Sequence, residues 1–244
     1  MVIALDICVI IFFVAILQSV FGVGVLLVGT PILMLFGYPY FEVLSLTLPT
    51  SFVISLSQVG KYYKHINWYL VRKALYFTIP MIPIGMIFAG YLGSMVGIIM
   101  GVFLVFTSFN FVLKQILPPY ASNGRLSVVL FFMGLIHGTT NLGGDILPSV
   151  VNQKCNLKEQ KLATTAAIYI MFQLTQITFI LIKRYPIDIS KSGICIVIGF
   201  FAYAVVGKRL FLSFKSENYT KHLRTFIRIV AVMLIGIKIY NLKK

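Results

Sequence analysis

The stretch "HGTTNLGGDILPS", His137 to Ser149, places an imidazole, two threonine hydroxyls, a carboxamide, a carboxylate and three glycines between the apolar runs "LSVVLFFMGLI" and "VVN". A second interruption, "QSVFGVG", Gln18 to Gly24, separates "VIALDICVIIFFVAIL" from "VLLVGTPILMLF". Chemistry at such places is backbone chemistry first. A break in a helix frees N–H groups, and the restarted helix carries about half a positive charge at its N-terminus. An anion answers both needs. Glycine suits the position because a side chain would hold the ligand off the backbone, and because the turn can require positive φ. The candidate ligand-binding groups are therefore Gln18, Ser19, Gly22 and Gly24 in the first interruption. In the second they are His137, Thr139, Thr140, Asn141, Gly143 and Gly144, with Gly138 beside them. The competing use of the same glycines is close helix packing or a kink.

Asp145 follows the glycine pair directly. A carboxylate there stabilises a helix N-terminus, worth about 0.3–1 kcal/mol when exposed. An ionisable group at membrane depth also marks a functional site by default, and desolvation favours its protonated form. Both uses stay open. In the second, Asp145, with His137, couples proton movement to the solute.

These residues need elements to position them, and the composition says which kind. Of 244 residues 59% are hydrophobic and only 11% charged, with a mean hydropathy of +0.96. A soluble domain carries about 25% charged residues. Apolar runs such as "GIIMGVFLVFTSFNFVL" do not alternate as barrel strands would. Lipid offers the backbone no partner, so the spans must be helices. The fold class is an all-α polytopic, multi-pass protein of the cell membrane. The net charge of +15 does not call for nucleic acid, because short loops rich in Lys and Arg orient a membrane protein and meet lipid headgroups. Cys8, Cys155 and Cys195 match no metal or redox spacing and read as small packing residues. Nothing in the sequence asks for a cofactor or a metal.

Full-length spans are predicted at 42–60, 69–91 and 95–117, and again at 160–182, 192–206 and 223–240. Before each trio comes one of the interrupted elements. The limb from Asp145 to Asn152 would reach only about 12 Å as helix, so it cannot cross alone. Pro31/Pro148, Glu42/Glu159 and Thr47/Thr164 match at a single offset of 117 residues. The expectation is two inverted repeats, 1–120 and 121–244, each a broken or re-entrant helical hairpin followed by three transmembrane helices. With the N-terminus outside, this arrangement puts all but six of the 21 basic residues inside; the six are Lys183, Arg184, Lys191, Lys238, Lys243 and Lys244. Letting each broken element cross once gives a smaller inside excess, and the positive-inside rule favours the larger.

The third element of each repeat has a polar face. Thr47, Thr50, Ser51, Ser55 and Gln58 share one side by their spacing, as do Thr164, Thr165, Tyr169, Gln173 and Gln176. Such faces commonly bond helix to helix. Thr47 and Thr164, at matching positions, are the two taken as ligands. Gly93, Gly97 and Gly101 form a small-residue stripe that packs helices within one chain or between two copies in a homodimer.

The chain resembles the sulfite exporter TauE/SafE family, which is grouped with toluene sulfonate uptake permeases. The resemblance rests on "FGVGVLLVGTPILMLFG", on "TLPTSFVISLSQVGKYYKHINW" and on "GLIHGTTNLGGDILPSVV". It implies a secondary carrier of a small anion, such as sulfite, sulfoacetate or another organosulfonate, and frequently an exporter. By motif match it carries roles onto Gly22, Gly24, Pro31 and Thr47, and onto Gly143, Gly144, Pro148 and Thr164. The chain departs from the family pattern in tips poorer in glycine and in the pairing of Asp145 with His137. A carrier of another solute that uses Asp145 for a proton or cation is the second expectation. An intramembrane enzyme finds no HExxH or GxSxG pattern here, and no Walker A pattern supplies ATP drive. A structural subunit would carry no solute alone.

Overall fold

The computed structural model describes residues 5–108 and 123–213, the side chains of 94, 105–108, 123 and 145 excepted. Every described element is helical. The predicted span at 223–240 and the end of the one at 95–117 lie outside these residues.

α1 (Leu5–Phe21) stops at Gly22, and after a short gap the chain resumes as a π-turn (Val25–Gly29) that leads into α2 (Thr30–Leu35). Pro31 sits in the first turn of α2, where its missing N–H costs nothing. α3 (Tyr40–Tyr62) follows, with Glu42 near its start and Lys61 near its end, each complementing the helix dipole. Continued through the 3₁₀ turn Tyr63–His65, it is long and apolar enough to cross a membrane.

The predicted span at 69–91 is broken in the structure. α4 (Trp68–Phe77) and α5 (Met81–Leu92) meet at 49°, with the proline at position 80, whose ring and missing N–H break a helix, between them. The freed groups are satisfied, since the Thr78 hydroxyl donates to the Leu130 carbonyl at 3.0 Å and Met81 N–H to the Thr78 carbonyl at 3.1 Å. α6 (Val96–Ser108) ends the first half. Gly93 closes α5 in a left-handed turn (φ 52°) with open space around it, so it belongs to a cap and not to a packing stripe.

α7 (Asn123–Thr140) opens the second half, and a 3₁₀ turn (Gly143–Asp145) leads into α8 (Leu147–Lys154). α9 (Lys158–Ile182) is a full span. α10 (Ile189–Ala202) runs through a second π-turn (Tyr203–Gly207) into α11 (Lys208–Ser213), again long enough to cross. Asp188 caps α10 by accepting from Lys191 N–H at 3.0 Å.

The two long helices α3 and α9 lie against each other at the centre. α5 packs along α7, and α10 along α1 and α3. The α5–α7 seam is closed by small residues: a Cβ on Gly85 would overlap the Leu135 carbonyl, one on Gly138 the Ile82 carbonyl, and one on Gly134 the Thr78 carbonyl. Gly138, read from the sequence beside the break, thus serves the close-packing use. The outward faces of α5 and α10 expose Phe88, Tyr91, Val197 and Phe201, as lipid-facing helices do.

Candidate functional site

The two interruptions follow the same backbone path. The Gln18 carbonyl accepts the Gly22 N–H at 2.8 Å, and the His137 carbonyl accepts the Asn141 N–H at 2.7 Å. Gly22 and Asn141 then take positive φ, 70° and 61°. Two residues on, Gly24 and Gly143 fold back onto the helix just left. A Cβ on Gly24 would strike the Val14 carbonyl and Gln18 amide; one on Gly143 would strike the Met133 carbonyl and His137 Cβ. Glycine is required at both because backbone lies where a side chain would go.

The register inside the breaks is Gln18/His137, Gly22/Asn141 and Gly24/Gly143, an offset of 119. The two residues lost relative to Pro31/Pro148 disappear in the next turn. The first half restarts through a π-turn, with Gly29 N–H bonded to the Gly24 carbonyl at 3.2 Å. The second restarts through a tighter 3₁₀ turn, with Ile146 N–H bonded to the Gly143 carbonyl at 3.2 Å. A π-turn holds more residues than a 3₁₀ turn, so a length difference becomes a difference in winding.

The breaks touch each other. Asn141 donates to the Thr30 hydroxyl at 2.8 Å and accepts from Gln176 at 3.3 Å. Gln18 is fully engaged: its NH₂ donates to the Ser51 carbonyl (3.0 Å) and the Ser55 hydroxyl (3.2 Å), and its oxygen accepts from Val25 N–H (3.2 Å) and Ser51 Oγ (2.9 Å). The first restarted turn is thereby capped by the chain itself. Gln173 reaches across from α9 to Ser51 at 2.6 Å, and Gln58 donates to the Gln18 carbonyl at 3.0 Å. These polar residues are all shut away from the surface: Gln18, Ser51, Ser55, Gln58, His137, Asn141, Gln173 and Gln176 are each fully buried.

The second break is not capped in the same way. His137 occupies the position of Gln18 yet lies against Phe172 (ring centroids 4.6 Å apart) and edge-on to Tyr169 (6.0 Å). Its closest polar neighbour is the Gln176 side chain, and among the described residues neither ring nitrogen, nor the side-chain oxygens of Gln58, Gln173 and Gln176, has a partner in good hydrogen-bond geometry. Gly144 lies under the Tyr169 hydroxyl so closely that a Cβ would overlap that oxygen.

Some sequence-predicted residues stand elsewhere. α7 continues through His137–Thr140, so the second break begins at Asn141 and is shorter than the sequence suggests. Thr139 and Thr140 spend their hydroxyls on the carbonyls of Leu135 and Ile136, and Thr139 borders the seam with α5. Thr140 Oγ1 also accepts the Leu142 N–H at 3.3 Å, which ties it to the break. Ser19 bonds the Ala15 carbonyl and packs against Gly207. Thr47 bonds the Val43 carbonyl, with its methyl near Gly29. Thr164 accepts the Asn67 N–H at 2.9 Å and meets Cys155, fastening the α3–α4 connection. Hydroxyls within helices commonly bond the preceding turn, which is why spacing alone overstates them as ligands. Asp145 closes the 3₁₀ turn, and its side chain lies outside the described residues. The glutamines and serines of α3 and α9, weighed from the sequence as helix-to-helix glue, do bond helix to helix around the breaks. Thr30 carried no signal beyond its place before Pro31.

The comparisons with curated proteins and with solved structures gave no match. The family model described as sulfite exporter TauE/SafE matches residues 7–239. That span includes both breaks and every described helix except the first two residues of α1. The chain belongs to the sulfite exporter TauE/SafE family: it is a membrane transporter and not an enzyme.

Proposed function

We propose that the chain is a secondary transporter of a small sulfur oxyanion, sulfite or an organosulfonate, held between the two breaks. One observation carries the reading: two helix interruptions with one backbone path meet in a buried polar cluster at the centre of an apolar bundle. Interrupted helices that face each other at mid-depth are a recurrent way for transporters to hold a solute and its coupling ion. Residues 1–120 and 121–244 act as inverted repeats whose relative rocking exposes the site to each side in turn. The basic residues support the orientation. Lys61, Lys64, Arg72, Lys73, Arg125, Lys154, Lys158, Lys161, Lys208 and Arg209 belong to one end of the bundle, and only Lys183, Arg184 and Lys191 among the described residues to the other. The crowded end faces the cytoplasm of a cell membrane.

Purified protein in liposomes, offered labelled sulfite, thiosulfate, sulfoacetate and sulfate with and without a pH gradient, tests this. Saturable flux of at least one sulfur anion is the expected result; flux of none overturns it.

A second reading rests on Asp145, which closes the 3₁₀ turn that follows α7, the helix whose last turn carries His137. Here the carboxyl takes up a proton with the solute. Asp145→Asn then abolishes the response of flux to a pH gradient while leaving counterflow intact. An unchanged pH response removes Asp145 from the mechanism.

A further inference from the structure

The polar groups between the two breaks specify more than a negative charge. Among the described residues, three carboxamide oxygens there lack a partner in good geometry, on Gln58 and Gln173 beside the first break and on Gln176 beside the second, and these only accept. The Gln58 orientation is fixed by its own partners, since its NH₂ faces the carbonyls of Gln18 and Ser19 at 3.0 and 3.4 Å and its oxygen must point away. A neutral imidazole at His137 adds one donor and one further acceptor. The acceptors join one cluster. Gln176 bonds Asn141, Gln173 bonds Ser51, and Ser51 and Gln58 both bond Gln18. A bare dianion such as sulfate offers such a lining no hydrogen to accept, and buried carbonyl oxygens repel its charge. Burying an acceptor without a partner is costly, so the ligand that fits brings a donor of its own.

We infer that this transporter selects small sulfur oxyanions that carry a hydrogen-bond donor, namely hydrogensulfite over the sulfite dianion and hydroxyalkanesulfonates over plain alkanesulfonates. The proton or hydroxyl of the ligand meets a glutamine oxygen, and its sulfonyl oxygens meet the His137 N–H and the glycine amides of the break. This rests on the transport reading above and narrows its substrate class.

The test uses the full chain in liposomes loaded with labelled sulfite. Ethanesulfonate and 2-hydroxyethanesulfonate are added as competitors at one fixed pH. Both are permanent monoanions of similar size, and only the second bears an O–H. The hydroxylated competitor is expected to inhibit at about tenfold lower concentration or less. Equal inhibition, or stronger inhibition by ethanesulfonate, overturns the inference while leaving the transport reading standing. Absence of any sulfur-anion flux removes both.

A second measurement follows initial rates at constant total sulfite as the pH rises through its second dissociation. Labelled 2-hydroxyethanesulfonate serves as the reference, because the titratable groups around the site, His137, Tyr169, Tyr40 and Asp145, act on both substrates alike. The ratio of sulfite to reference rate is expected to fall with the hydrogensulfite fraction. A ratio that stays level or rises overturns the inference. Gln176→Met, which removes the amide at similar volume, is expected to shrink the difference between the two competitors.

Discussion

The first and second breaks share a path and differ in what fills it. In the first, Gln18 turns its side chain onto Val25, Ser51 and Ser55, and every polar atom of that side chain has a partner. In the second, the corresponding His137 rests on aromatic rings, and neither nitrogen has a partner in good geometry among the described residues. One side chain completes the structure and the other leaves an opening in its bonding. Two breaks with one backbone path thus differ in how completely their own side chains satisfy them, and the proposed solute has its opening beside the second.

The sharpest way to break this comparison is at the glycines. Gly144→Ala drives a methyl into the Tyr169 hydroxyl and should cost about 3 kcal/mol or more, seen as loss of folded protein in detergent. Combined with Tyr169→Phe, which removes the overlapped oxygen while keeping the ring, the glycine substitution should cost less than it does alone. Gly22→Ala meets only side-chain atoms of Thr165 and Leu162 at 3.2–3.4 Å, so its cost is mainly that of positive φ, about 1–2 kcal/mol. If Gly22→Ala proves the worse of the two, the packing account of the second break is wrong.

The side chains at the matched position should separate stability from transport. Gln18→Leu leaves the Val25 N–H and the Ser51 hydroxyl unpaired and should lower stability by about 2–3 kcal/mol. His137→Leu removes no well-formed hydrogen bond among the described residues and should change stability by less than about 1 kcal/mol, in either direction, while flux is lost. Thermal unfolding of the purified variants beside liposome flux decides this. A smaller penalty at Gln18 than at His137 would reverse the assignment of roles.

Asn141 sharpens the comparison further. Asn141→Gly suits the φ of 61° yet forfeits the bonds to Thr30 and Gln176, and Asn141→Ala adds backbone strain to the same loss. The alanine variant should therefore be the less stable by about 1 kcal/mol.

The smallest effect lies at the other end of the bundle, where Asp188 caps α10. The Lys191 backbone N–H, aided by the Lys191 ammonium, holds its carboxyl below the usual carboxylate range. A depressed folded value means the contribution is present above the ordinary carboxylate value and fades as the pH falls through the lowered one. A slight drop in melting temperature on acidification should be absent in Asp188→Ala.

Much of this was legible in the chain. Glycine-rich interruptions inside apolar runs located both breaks, and Pro31 and Pro148 located the restarts. The internal register was not legible, because the structurally equivalent pairs Gln18/His137 and Gly22/Asn141 share no identity, and two residues are absorbed by different helical windings. The bend at residues 78–80 escaped notice because the run around it stays apolar. The directions of the threonine hydroxyls were not legible either, since at Thr47 and Thr139 the nearest acceptor is the preceding turn of the helix itself.

The Asn141–Thr30 bond has a mechanical meaning. It joins the breaks through two neutral side chains, and such a bond contributes about 0.5–1.5 kcal/mol. In the proposed rocking of the halves, a clasp of that strength adds little to the barrier, so the packing of α3 along α9 sets how readily the two breaks part.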